Sequence, residues 1–101
     1  MIRHIVLIRF LPGTYEERIV ELWAELHVVC QAIAGVRAFM AGRSESPEQI
    51  ERGYLHGFTI DFDDGDALRR YSDHSLHREF GRKLIENAVD GLDGILVDLA
   101  P

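Results

Sequence analysis

Cysteine occurs once, at Cys30, so one chain has no partner for an internal disulfide and no thiolate set for a metal. Proline occurs three times, at Pro12, Pro47 and Pro101, and no Pro-rich or Gly/Ser-rich tract marks a linker. Long hydrophobic runs are missing as well. The opening MIRHIVLIRF is interrupted by Arg3, His4 and Arg9, so it reads as neither a signal peptide nor a spanning helix. Positive charge is in short supply, with 11 Lys and Arg against 17 Asp and Glu and a net charge of −6. That balance argues against the clustered basic footprint that nucleic acid requires and against attraction to anionic lipid. No nucleotide fingerprint, phosphate loop or activated-serine pattern occurs. The expectation is a cytoplasmic protein with no nucleic-acid or membrane partner.

What is present is ordinary globular material, 47% hydrophobic and 28% charged over 101 residues. This predicts a single domain spanning residues 1–101. Residues 2–11, IRHIVLIRFL, alternate as a strand: Ile2, His4, Val6, Ile8 and Phe10 share one face, Ile5, Leu7 and Leu11 the other. Pro12 and Gly13 stop it. Thr14 and Glu17 have capping-box spacing, and Ile19, Leu22, Trp23, Leu26, Val29, Cys30 and Ile33 then recur at helical period. Gly35 supplies a stop, and Val36 to Arg43 reads as a second strand. Ser46-Pro47-Glu48-Gln49 predicts one short helical turn. Residues 53–62 alternate again, with Tyr54, His56, Phe58, Ile60 and Phe62 together. Asp63, Asp64 and Asp66 favour a helix start. A second helical piece begins near Ser75, with Leu76, Phe80 and Leu84 inward. Gly91 and Gly94 break the chain before a last strand, ILVDL.

The order is therefore β-α-β-β-α-β, which predicts an α+β sandwich of the ferredoxin-like type with a four-stranded antiparallel sheet. Helices on one side leave the other face bare. Yet Ile5, Leu7 and Leu11 fall on that second face, and the last strand is apolar on both. Such a face needs a second layer, and in 101 residues only another copy of the chain supplies it. The expectation is a homodimer packed sheet to sheet, a dimeric α+β barrel.

Imidazoles and a phenol stand among these core-like positions. YSDHSLHREF carries Tyr71, His74 and His77, while His4 and His56 sit on the apolar faces of strands one and three. Together MIRHIVLIRF, YLHGFTIDF and YSDHSLHREF resemble the stress-responsive α/β-barrel domain (Dabb) family, over roughly residues 1–98. The resemblance implies a sheet-to-sheet dimer. It also implies, from a plant polyketide cyclase of that family which closes its substrate by cofactor-free aldol condensation, that His77 is the catalytic base. Tyr71, His56 and His4 then fall on further polar cavity positions. Two positions depart from the cyclase: Ser75 replaces a proline, and Leu26 replaces a tyrosine, which removes a hydroxyl from the pocket. Some relatives hold magnesium on main-chain carbonyls at the end of the first helix, matching Cys30, Ile33 and Val36 here.

The chemistry agrees with that assignment. A neutral imidazole in an apolar pocket acts as a base near pH 7, and a tyrosine hydroxyl opposite stabilises a developing enolate. Aldol cyclisation, isomerisation or decarboxylation of a small apolar carbonyl ligand, polyketide-like or aromatic, all begin with that pair. His74 and His77 share a helix face, but no third metal ligand has fixed spacing to them. The alternative is a non-catalytic stress-responsive structural dimer. In it the same histidines decorate a satisfied core, titrate near the ordinary value of about 6.5, and border no ligand-sized cavity.

Overall fold

The computed structural model describes residues 1–97. They run in the order β1 (Ile2–Ile8), α1 (Glu16–Gln31), β2 (Val36–Arg43), β3 (His56–Phe62), α2 (Gly65–Asp73), α3 (Ser75–Glu86), a 3₁₀ turn (Gly91–Gly94) and β4 (Ile95–Val97). Asp98 and Leu99, expected in the last strand, lie outside the described residues. The four strands form one antiparallel sheet in the order β2-β3-β1-β4. The fold is ferredoxin-like, as the alternation and helix spacing predict.

Alternation in β1 and β3 puts Val6, Ile8, Phe58, Ile60 and Phe62 on the helix side of the sheet. Ile19, Leu22, Leu26 and Val29 of α1 close over them. Ile8, Leu22, Leu26, Ile60 and Phe62 are the largest wholly enclosed side chains. Each contributes about 1.5–3 kcal/mol relative to exposure. The core cluster runs from β1 to Ala88 without a break.

Several local expectations are corrected. β1 ends at Ile8, and Phe10 makes only an isolated bridge to Ala88. Likewise β3 starts at His56 and leaves Tyr54 in the preceding turn. Thr14 does not cap α1. Its amide and hydroxyl both donate to the Leu11 carbonyl, at 3.1 and 2.7 Å, closing the turn Leu11-Pro12-Gly13-Thr14. Gly13 there has φ +85°, the left-handed value that glycine adopts at no steric cost. The helix starts after Tyr15 with Glu16 and Glu17 in its first turn, where acidic groups complement the dipole. α1 ends at Gln31 with Ala32 as its cap, ahead of Gly35. Residues 46–49 form a turn and no helix, because the Ser46 hydroxyl accepts from the Glu48 amide and Gln49 has φ 57°.

The second helical region is split in two. Asp64 caps α2 by accepting from the Ala67 amide at 2.9 Å. At His74 the backbone turns extended, and the ring Nδ1 accepts from the Leu76 amide at 3.1 Å, so a histidine caps α3. Ser75 is then the first residue of α3, the position where proline is tolerated because its N–H would be unsatisfied anyway.

The face away from the helices stays bare, as the sequence predicts. Ile5, Leu7, Met40 and Leu96 are large, apolar and exposed there. Arg3 and Asp61 pair across it at 2.8 Å. Leu11, expected on the same face, lies beyond β1. No described helix is long and apolar enough to cross a membrane.

Candidate functional site: a tyrosine–histidine pair in an apolar cavity

Tyr71 sits on the buried face of α2 and is 2% exposed. The break at His74 turns the chain so that His77, in the first turn of α3, comes back over the phenol. The two ring centroids are 4.3 Å apart. Phe62 supports Tyr71 from the sheet at 5.2 Å, and His4 of β1 approaches it edge-on at 6.2 Å.

These three polar rings line one cavity of about 140 Å³, between α3, β1 and β4. Phe58 and Phe80 form its floor, and Leu92 of the 3₁₀ turn stands at its mouth, 68% exposed. Among the described residues no lysine, arginine or carboxylate lines it. The cavity therefore suits an uncharged molecule with few polar groups.

His77 has a defined tautomer. Its Nδ1 lies 3.1 Å from the Ser72 carbonyl, and a carbonyl only accepts, so Nδ1 carries the proton and donates. The lone pair is left on Nε2. Burial lowers the His77 pKa below its ordinary value; the Ser72 contact opposes this and the Arg78 charge adds to it. The ring is thus neutral near pH 7, with Nε2 as a free base. Tyr71 shifts the other way. Burial, with a contribution from Cys30, raises its pKa well above the ordinary phenol value, so it remains an O–H donor. No described residue hydrogen-bonds that hydroxyl, which keeps it available to a ligand. The Cys30 thiol is pushed up to about 11 by burial and is inert as a nucleophile.

A consequence of the lowered His77 pKa is acid-linked stability. Above about 6.5 both folded and unfolded chains hold this ring neutral. As pH falls below that value the unfolded chain protonates first, so its contribution to stability is lost down to the native pKa. Histidine Cε1–H shifts should show His77 titrating below 6.5, and the loss of melting temperature between pH 7 and 5 should shrink in His77→Gln. A midpoint at or above 6.5 would remove the desolvated base.

The structure does not bring all the expected site residues together. His4 pairs with Ile60 and His56 with Ile8 across the same ladder, so four residues, about 13 Å of strand, separate them. His56 lies outside the cavity. It is 8% exposed, its Nε2 is 3.2 Å from Glu16 Oε1, and Phe10 stands edge-on to it at 5.3 Å. Cross-strand register decides this, and like alternation on both strands does not reveal it. His74 is the α3 cap and His27 is exposed beside Phe39. Sequence reasoning missed the Ser72 carbonyl, which a side-chain motif cannot announce, and the Leu92 lip.

The carbonyls matched to magnesium run from Cys30 in the last turn of α1, through Ile33, to Val36 at the start of β2. Those of Cys30 and Ile33 accept from the Ile33 and Val36 amides at 3.4 and 3.5 Å. The adjoining cleft carries Arg37 and, among the described residues, no carboxylate, and the Arg70 guanidinium already donates to the Ala34 carbonyl at 3.0 Å. Guanidinium groups at a helix end compete with a dication for that negative potential. This donor set fits a hard cation poorly.

Residues 2–100 match the family model described as the stress responsive A/B barrel domain. The stress-response A/B barrel domain-containing protein HS1 of Arabidopsis thaliana is 30% identical over 96 residues, covering 95% of this chain and 84% of that protein. A dimeric ferredoxin-like protein of unknown function from Jannaschia sp. CCS1 superposes with a TM-score of 0.87 at 30% identity, covering 99% and 96% of the two chains. The hydroxynitrile lyase of Passiflora edulis shares the fold, with a TM-score of 0.83 at 18% identity over 99% and 90% of the chains.

Proposed function

Because the chain belongs to the stress-responsive A/B barrel domain family, we propose that its Tyr71–His77 pair makes it a cofactor-free acid–base catalyst acting on a small carbonyl compound. The observation that carries this reading is the pair itself. One ring presents an unprotonated Nε2, the other an O–H that no described residue binds, and both line the same apolar cavity. His77 Nε2 takes a proton from the carbon next to the carbonyl, and the electron pair delocalises onto oxygen as an enolate. Tyr71 donates a hydrogen bond to that oxygen as charge develops. The enolate then takes its proton back or attacks a second electrophilic carbon, as in aldol closure. Isomerisation is the same path with the proton returned elsewhere.

Size narrows the substrate. An apolar cavity of about 150 Å³ accepts a benzene-sized molecule, and this one is about 140 Å³. It takes a short aliphatic ketone or aldehyde whole, whereas an aromatic ketone or a longer polyketide-like chain places only its reacting end inside. The same frame carries a hydroxynitrile lyase in Passiflora edulis, so lyase chemistry is compatible with it. The test is hydrogen–deuterium exchange in D₂O. Acetophenone itself has an exchangeable methyl, and ¹H NMR should show that signal fading faster with protein than in buffer. A panel of small ketones that all exchange at the buffer rate would return the reading to a non-catalytic structural dimer.

The second copy belongs to the bare sheet face. Ile5, Leu7, Met40 and Leu96 expose large apolar groups there, and the Jannaschia and Thermobifida fusca relatives of this fold are described as dimeric. Sedimentation should give twice the 11.5 kDa chain mass, and Leu7→Lys should shift it to one chain. An unchanged mass in Leu7→Lys would place the interface elsewhere.

A further inference from the structure

We propose a second site at the other end of the sheet: a cleft in the β2–β3 loop that binds a phosphate monoester. The cleft has a volume of about 320 Å³ and is lined by Arg43, Ser44, Ser46 and Arg52, among others. A third guanidinium adjoins it. A Cβ on Gly53 would stand 2.9 Å from Arg9 Nε, so the missing side chain is what admits Arg9 to the loop. Gly53 also has φ +90°, which side-chain-bearing residues rarely adopt. The guanidinium then rests over the Tyr54 ring, 5.5 Å from its centroid.

Some guanidinium groups of this acidic chain pair with carboxylates, Arg3–Asp61 and Arg18–Glu21 among them, while Arg70 donates to the Ala34 carbonyl. Among the described residues Arg9 and Arg52 have no carboxylate partner, although both flank one loop. Arg43 has only a single contact to Glu16, at 3.2 Å between two exposed side chains. One carboxylate, Glu51, lines the cleft against two arginines. Guanidinium groups outnumber carboxylates in the cleft lining, and a bound dianion meets that positive potential. The guanidinium fork matches phosphate oxygens bidentately, and serine hydroxyls add donors. A cleft wider than a bare phosphate ion leaves room for the group that carries it.

This site is separate from the Tyr71–His77 cavity, with which it shares no lining residue. It stands or falls by binding alone. The probe is inorganic phosphate, followed by phenyl phosphate, titrated into ¹⁵N-labelled protein at constant ionic strength held with sodium chloride. Amides of residues 44–55 should move and saturate in the millimolar range, on the order of 1 mM, with phenyl phosphate the tighter ligand. The double variant Arg9→Gln/Arg52→Gln should weaken binding at least tenfold, while its undisturbed spectrum elsewhere shows that it folds. Sodium acetate should bind more weakly than phosphate. Shifts that stay linear, that match those of chloride, or that persist at wild-type affinity in the double variant would overturn the assignment.

Discussion

His77→Gln slows carbonyl-substrate exchange by roughly 10²- to 10⁴-fold, the range that a positioned general base contributes. Glutamine keeps the bulk and offers an N–H to the Ser72 carbonyl that now receives Nδ1–H at 3.1 Å. It has no lone pair of imidazole basicity. The loss therefore falls on chemistry, while the sedimentation mass and the circular dichroism spectrum stay unchanged. Tyr71→Phe removes the donor at the oxyanion and is expected to cost about 10²- to 10³-fold, comparable to loss of one oxyanion-hole contact. His56→Gln leaves the rate as it is, since His56 faces Glu16 and Phe10 outside the cavity. Full exchange activity in His77→Gln would mean that the base lies elsewhere.

Phe62→Ala has the largest expected effect on stability. Phe62 is wholly buried at the end of β3, between Ile2 of β1 and Val36 of β2. Its ring supports Tyr71 at 5.2 Å and meets His4 at 6.3 Å. Truncation removes the transfer free energy of the ring and leaves a void that close-packed neighbours fill only in part, about 3–5 kcal/mol in all. A domain of this size holds about 5–15 kcal/mol, so urea unfolding should shift to much lower denaturant at an unchanged slope. Exchange activity should fall too, because the phenol loses its backing. A loss under about 1 kcal/mol would show that the sheet end collapses onto the gap.

Both arguments depend on features that the sequence reveals unequally. The alternation of IRHIVLI and HGFTIDF, and the 3.6-residue period from Ile19 to Val29, come from side chains choosing between water and an apolar layer. That choice is local and is written residue by residue. The bare apolar face follows in the same way, from Ile5 and Leu7 alternating against Val6 and Ile8. Caps were less legible. Thr14 has the spacing of a helix cap, but Pro12 and Gly13 draw it into a turn with Leu11, and His74 takes a capping role that serine or aspartate fills more often.

The site was legible only as a set of candidates. Tyr71 and His77 are close in sequence, and their meeting follows from the helix break between them. His4 joins them, and His56 does not, because the β1–β3 register sets His4 against Ile60 and His56 against Ile8. By itself the sequence determined the elements, their order, the buried face and the bare face, since each reflects hydrophobic periodicity within one segment. Only the tertiary structure decided which imidazoles share a cavity, how large it is, and which nitrogen of His77 is free. Those depend on cross-strand register, on a main-chain carbonyl at Ser72 and on a leucine at position 92, and packing alone brings such distant parts of the chain together.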